Sequence, residues 1–345
     1  MSHFLAIDAG GTKTRCLLAD ESHVLARATT GTVKLMRVGE EEASLRLQAM
    51  LAEAEAAAGV SLGQITRTCF GLAGISSPAV RAWTEKSVAQ LVGGELLLCG
   101  DEEIALDAAF AGGPGILVVA GTGSNAIGRT DAGQTIGAGG WGPVLGDEGS
   151  GTWIGLEAIR AALRAHDRER LSDPDGGQTA NGPTSLLREI ERHWKLESLG
   201  ELVAYANQRG DSGHPAPEFA SLAPVVARCA EQGDALAAKV LALAGVELAE
   251  LVALVYRKMT STTLGAPSMT ASPGVPGERS LLVGVRSSWV GSAIGVAFTG
   301  SVLTHISQVR AAMTARLAVS LPMVHVSQTP VDPLEGALWR ARQAR

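Results

Sequence analysis

The chain uses one local plan twice: an apolar strand, a glycine turn and a second strand. It appears at FLAIDAGGTKTRCLLAD (4–20) and again at ILVVAGTGSNAIGR (116–129). In the first copy the turn is too short for a crossover helix, so the strands must be antiparallel neighbours, and VLARATTG (24–31) adds a third. GGPG at 112–115 is a natural break between the copies. A chain of 345 residues, at roughly 100 to 200 residues per domain, suggests two domains. The halves do not match residue by residue; they share only the plan.

Between the two copies the pattern predicts a helix over 40–58, a buried strand at TRTCFGLAG (66–74) and a helix over about 78–91. LLLCGD (96–101) reads as a strand ending on an acid, with a short helix over 104–111 after it. Past the second glycine turn, helices are predicted over 150–165, 184–194, 198–208, 217–231 and 234–258. Residues 261–292, rich in Ser, Gly and Pro, stand apart as a long loop or an excursion hairpin. VAFTGSV (296–302) returns to a strand and glycine turn; a helix to about 319, a strand at 323–328 and a helix from Pro333 close the chain.

Composition narrows the function classes. With 46% hydrophobic and 19% charged residues and a mean hydropathy of +0.17, the chain is globular rather than disordered. A net charge of −6 argues against a basic surface for nucleic acid or anionic membrane. It does not argue against a small phosphate held by backbone N–H groups and one cation. The N-terminus runs straight into a strand, unlike a signal peptide, and no long uncharged apolar stretch predicts a membrane span. Cys16, Cys69, Cys99 and Cys229 are far apart, with no CxxC pair; Cys69 and Cys99 sit in apolar runs and read as reduced, buried thiols, and the expected location is the cytoplasm.

Four segments carry chemistry. In DAGGTKT (8–14), Gly10 and Gly11 admit close approach of an anion, with Thr12 and Lys13 beside it. The local reading is a phosphate loop between two strands, or else a hairpin with an incidental acid at Asp8. Gly121, Thr122 and Gly123 repeat the arrangement, which suggests two domains gripping one polyphosphate. Asp101 sits where open sheets place ligands and could accept a proton from an attacking hydroxyl; the alternative is a helix N-cap. GGWGPVLGDEGSGTWIG (139–155) packs seven glycines, two tryptophans and an Asp-Glu pair into a segment too glycine-dense for a helix or strand. There Trp141 offers an apolar face to a sugar ring, Asp147 can accept from two vicinal hydroxyls, and Glu148 could orient its neighbours.

Taken together, DAGGTKT, CGD, AGTGSNAIGR and GGWGPVLGDEGSGTWIG resemble N-acetylglucosamine kinase and its BadF/BadG-type relatives in the sugar kinase/Hsp70/actin superfamily. The resemblance runs from residue 4 to about 170 and returns at 231–245, FTGSV (298–302) and 333–342. It implies an α/β, two-domain actin-like ATPase fold (ribonuclease H-like) with an interdomain cleft. The expected domains are 1–112 with 330–345, and 113–329. It implies an ATP-dependent sugar kinase that phosphorylates a hexose hydroxyl, the 6-OH of N-acetylglucosamine or glucosamine, with Asp101 as general base.

By the same resemblance Gly10, Gly11, Thr12, Lys13, Gly121, Thr122, Gly123 and Ala220 would bind ATP and its phosphates. Asp101, Ser124, Asn125, Gly140, Trp141, Gly142 and Asp147 would bind the sugar, and Asp8 would hold Mg²⁺ through water. A homodimer is implied as well. One departure stands out: relatives carry a sugar-contacting Asn after the third strand, where GTVKLMRVG (31–39) has Val33 and Lys34. Lys34 would meet a sugar carbonyl, a carboxylate or only solvent, so glucosamine, glucose or an acidic amino sugar stay open as substrates. Two other roles on related folds are the ATPase activator of a 2-hydroxyacyl-CoA dehydratase, which needs exposed cysteines for an iron–sulfur cluster, and a non-catalytic sugar-sensing protein.

Overall fold

A computed structural model describes residues 2–172, 184–208, 210, 217–261 and 293–343, without the side chains of 169–172. The Ser/Gly/Pro-rich stretch lies, from residue 262 to 292, outside the described residues.

The first half opens with β1 (His3–Ala9), β2 (Lys13–Ala19) and β3 (Val24–Gly31) as an antiparallel meander. Then come α1 (Leu35–Ala58), β4 (Ile65–Leu72), α2 (Pro78–Leu91), β5 (Glu95–Cys99) and α3 (Asp101–Phe110). Gly39, at φ 76° and ψ 169°, breaks the first turn of α1 from the rest, so the regular helix starts at Glu40 as its apolar spacing predicts. β4 and β5 extend the sheet in parallel, in the order β3-β2-β1-β4-β5.

The second half repeats that order. β6 (Gly115–Ala120), β7 (Ser124–Arg129) and β8 (Thr135–Gly139) form the meander. The helices are α4 (Gly151–Ser172), α5 (Leu186–Trp194), α6 (Leu199–Ala206), α7 (Ala223–Glu231) and α8 (Ala235–Thr260). β9 (Ile294–Thr299) and β10 (Val324–Val326) add in parallel, joined by α9 (Ser301–His305) and α10 (Ser307–Ser320), and the sheet reads β10-β9-β6-β7-β8. The final helix is α11 (Pro333–Arg342).

Side chains alternate across each sheet, as strand geometry requires. Leu5, Ile7 and Ala9 face the layer of α1 and α2, meeting Leu47, Leu51 and Trp83. Phe4 and Ala6 face the other way, into a cluster with Ile104 of α3 and with Leu334, Ala337 and Leu338 of α11. Ile116, Val118 and Ala120 face the large helical core of the second half. Leu117 faces the opposite side, against Ala105 and Leu106 of α3. Thus α3 lies between the two sheets, with Ile104 on one and its next two residues on the other.

α11 crosses back to the first half and packs tightly on α3. A Cβ at Gly336 would stand 1.8 Å from the carbonyl oxygen of Ile104, so only glycine allows this approach. A buried ion group fixes the wedge: Asp107 meets Arg129 of β7 at 2.7 Å and Arg340 of α11 at 2.5 Å, and Arg340 also bonds Glu103 at 3.1 Å. All four cysteines are free and buried. Among the described residues, no helix is long and apolar enough to cross a membrane.

Candidate active site

The first glycine turn closes with the Gly10 N–H donating to the Lys13 carbonyl at 3.0 Å. Its other carbonyls are tied back into the chain. The Thr32 hydroxyl donates to Gly10 O at 2.9 Å, Arg37 Nη1 to Gly11 O at 3.0 Å and the Thr32 N–H to Thr12 O at 3.2 Å. What remains to meet an anion is the N–H side of the turn, with exposed Thr12 and Lys13 beside it. A Cβ at Gly11 would meet nothing within 4 Å, so this point of the turn is open.

Asp8, two residues before the turn, is partly buried and pairs with Arg15 at 2.6 Å; Arg15 also holds Asp332 at 2.7 Å. Burial pushes the Asp8 carboxyl above its ordinary range, and the Arg15 guanidinium pulls it part of the way back. Arg15 and Asp332 were not legible as site residues: their link joins β2 to the start of α11, a contact between chain ends.

The LLLCGD pattern predicts a strand ending on Asp101, but β5 ends at Cys99 and Gly100 is the N-cap of α3. Asp101 is therefore the first helical residue rather than the cap, and Asp101, Glu102 and Glu103 form an acidic first turn that complements the helix dipole. The Glu103 carboxylate takes over the capping role, accepting the Gly100 N–H at 3.4 Å. Asp101 accepts the Glu102 N–H at 3.2 Å. Burial raises its carboxyl to about 6, and repulsion from Glu102 and Asp8 adds to the rise.

Glu102 was not singled out in the sequence, yet it accepts a hydrogen bond from Asn125 Nδ2 on β7. Burial raises its carboxyl and the Asn125 amide lowers it. The available signal was only its place beside Asp101.

The second glycine turn repeats the construction of the first. The Gly121 N–H donates to Gly123 O at 2.9 Å. The Gly121 carbonyl takes the Gly151 N–H at 2.8 Å, and the Thr122 carbonyl takes the Thr152 hydroxyl at 2.7 Å. Two residues expected to face the sugar also hold the neighbouring loop. The Ser124 hydroxyl donates to Glu148 O at 2.7 Å, and the residue is buried. Asp147, at φ 60°, accepts the Gly142 N–H at 3.1 Å, and its carboxylate lies so close that a Cβ at Gly123 would stand 2.7 Å from Oδ2. Its Oδ1 therefore braces the loop, while the carboxylate keeps further acceptor capacity.

Trp141 is 67% exposed, free to offer its ring face. Gly140, at φ 74°, lies beside Asn125, where a Cβ would come to 3.3 Å from Asn125 Cβ. Lys34 caps α1 with its backbone, where its N–H bonds the Thr32 hydroxyl at 3.1 Å, and the residue is exposed at the rim of the first turn.

A cavity of about 340 Å³ opens beside the second turn, lined among others by Gly121, Thr122, Gly151, Ala220, Ser301 and His305. Ala220 and the second turn are thus brought together. Asp8, Asp101 and the first turn lie outside this cavity. Ser301 follows Gly300, at φ 95°, where only glycine fits: a Cβ there would stand 2.3 Å from the Ala120 carbonyl oxygen. FTGSV carried that signal without naming a residue.

Residues 5–265 match the model of the BadF/BadG/BcrA/BcrD ATPase family. The chain is 31% identical over 274 residues to an N-acetylmuramic acid/N-acetylglucosamine kinase of Clostridium acetobutylicum, covering 77% of this chain and 85% of that one. It is 27% identical over 271 residues to an N-acetyl-D-glucosamine kinase of Dictyostelium discoideum, covering 74% and 80%. Among solved structures, a candidate N-acetylglucosamine kinase from Chromobacterium violaceum superposes with a TM-score of 0.65 at 24% identity, over 99% of both chains, which shows a shared fold.

Proposed function

The chain belongs to the BadF/BadG/BcrA/BcrD ATPase family, and we propose on that premise that it is an ATP-dependent amino-sugar kinase acting on the 6-hydroxyl of its substrate. The observation that carries the reading is Asp101. It stands on the first turn of a helix wedged between the two sheets, in electrostatic reach of Asp8 and one residue from the side chain that reaches Asn125. A carboxyl near 6 is ionised at neutral pH and still basic enough to take a proton as the hydroxyl attacks.

In this reading Gly10, Gly11, Thr12 and Lys13 hold phosphate from one side, and Gly121, Thr122 and Gly123 from the other. The cavity beside Ala220 and Ser301 takes the nucleoside. Asn125, Gly140, Trp141 and Gly142 face the sugar, while Ser124 and Asp147 shape the loop that presents them. Phosphoryl transfer needs positioning and charge neutralisation more than covalent chemistry, and two backbone turns with Lys13 supply both. Closure of the lobes brings the turns together and excludes water.

The donor set suits a hydrated Mg²⁺. Among the described residues no group of three or more His, Cys, Asp or Glu could hold a metal by itself. Asp8 is a desolvated carboxylate that already pairs with Arg15 on one oxygen, and its charge is still felt at Asp101, a repulsion that a further cation would relieve. Mg²⁺ characteristically takes one or two carboxylates and completes its shell with phosphate and water. Asp8 would hold it through water, and when bound it neutralises charge on the transferring phosphoryl group.

The activator role is less well supported, because an iron–sulfur cluster needs accessible thiolates and all four cysteines are buried. The test is sugar-dependent ADP release across N-acetylglucosamine, N-acetylmuramic acid, glucosamine and glucose, with the product read by phosphorus NMR. A 6-phosphate supports the proposal; a phosphate at another position overturns the assignment of the acceptor hydroxyl.

A further inference from the structure

Asn125 Nδ2 donates to the carboxylate of Glu102, and the partners come from different halves of the molecule. Glu102 is the second residue of α3, the helix between the sheets, and Asn125 is the second residue of β7. Behind the amide stands Gly140. A Cβ there would lie 3.3 Å from Asn125 Cβ and 3.5 Å from Nδ2, so the amide is held between an acid on one side and a bare backbone on the other.

The chemistry of this contact has one solution. A carboxylate accepts and does not donate, and an amide offers hydrogens only on nitrogen. The nitrogen must therefore turn to Glu102, which uses one of its two hydrogens and fixes Oδ1 on the other side of the amide as an acceptor. Resting on the kinase reading, the geometry points to Glu102 as a positioning residue of the sugar site: it fixes the Asn125 amide across the cleft so that Asn125 offers a substrate an acceptor, Oδ1. The sugar group that meets Oδ1 is then a donor, a hydroxyl or an acylamido N–H.

The contact also ties the sugar loop to the helix that carries Asp101, one residue away. Glu102 does not act on the reacting atoms; it acts through Asn125. Its negative charge, desolvated beside Asp101 and next to Glu103, supports the same placement, since such a charge is held there only with a donor in reach.

Four proteins test this: wild type, Glu102→Gln, Asn125→Asp and the double variant. With Glu102→Gln either amide can turn over, so the fixed orientation is lost; the sugar KM should rise about tenfold, with the ATP KM unchanged. Asn125→Asp faces one carboxylate with another, and the sugar KM should rise by about a hundredfold. In the double variant the introduced glutamine donates to the introduced aspartate, and an acceptor oxygen again faces the sugar. Its sugar KM should return to within about fivefold of wild type, a non-additive rescue.

If the two single effects simply multiply in the double variant, or if Glu102→Gln raises the ATP KM instead of the sugar KM, the proposal is overturned. Wild-type turnover is the control for the kinase reading itself. Should no sugar be turned over, the same cycle is read from thermal unfolding of the four proteins without ligand. Non-additive midpoints then support the contact, and additive ones overturn it.

Discussion

Arg129, the last residue of β7, places Nη2 2.7 Å from Oδ1 of Asp107 and so ties the second sheet to the helix that carries Asp101. The other oxygen of Asp107 is held by Arg340 Nε at 2.5 Å, and its side chain is 1% exposed. Such a group is most sensitive to loss of one partner, which leaves buried charge uncompensated. Asp107→Asn should lower unfolding stability by about 3 to 5 kcal/mol, read by denaturant titration. An unchanged midpoint would refute the role given to the ion group.

Asp101 sets a pH dependence with a definite sign. Its ordinary value is 3.8 and its folded value about 6, so the folded chain holds this proton more tightly than the unfolded one. Its contribution to stability is fully present below the ordinary value and is lost as pH rises through about 6. Asp101→Asn should therefore be more stable than wild type at pH 8, with the advantage fading toward pH 4, in paired melting curves. Wild-type kcat/KM should fall about tenfold per pH unit below the Asp101 value. A flat profile between pH 5 and 7 would remove Asp101 as the base.

Gly336 controls the seat of the last helix. A methyl group at this position would overlap the Ile104 carbonyl, a backbone atom that cannot swing away. Gly336→Ala should cost about 1 to 3 kcal/mol of stability, despite alanine's better helix propensity. A stabilised variant would show that α11 does not pack on α3 as described.

The thiols should be inert. Burial pushes Cys16 up to about 11 and raises Cys229 as well, while Cys69 and Cys99 sit with sulfurs 3.6 Å apart inside the first sheet. A thiol reagent should label none of the four cysteines rapidly in the native protein and all four after unfolding. Fast native labelling of two or more would reopen the iron–sulfur role.

Much of this was legible in the sequence. The glycine turns at 10–11 and 121–123, the meanders around them and the acid after the fifth strand follow from apolar runs and short turns alone. Apolar spacing places the start of α3 too late because Asp101, Glu102 and Glu103 carry no apolar periodicity; the acidic first turn is the better signal. The inward use of Ser124 and Asp147 was hidden because it depends on which atom of a folded loop reaches which carbonyl or N–H. Glu102 meeting Asn125, and α11 lying on α3, join segments far apart in sequence, where local pattern carries no information.

The most direct test measures sugar-dependent ADP release by wild type and by Asp101→Asn, with sugar binding followed in parallel by calorimetry. The account predicts turnover of an amino sugar by wild type, and a loss of about 10² to 10⁴-fold in kcat for Asp101→Asn with sugar affinity retained. No turnover of any sugar, or an Asn variant as fast as wild type, would contradict it.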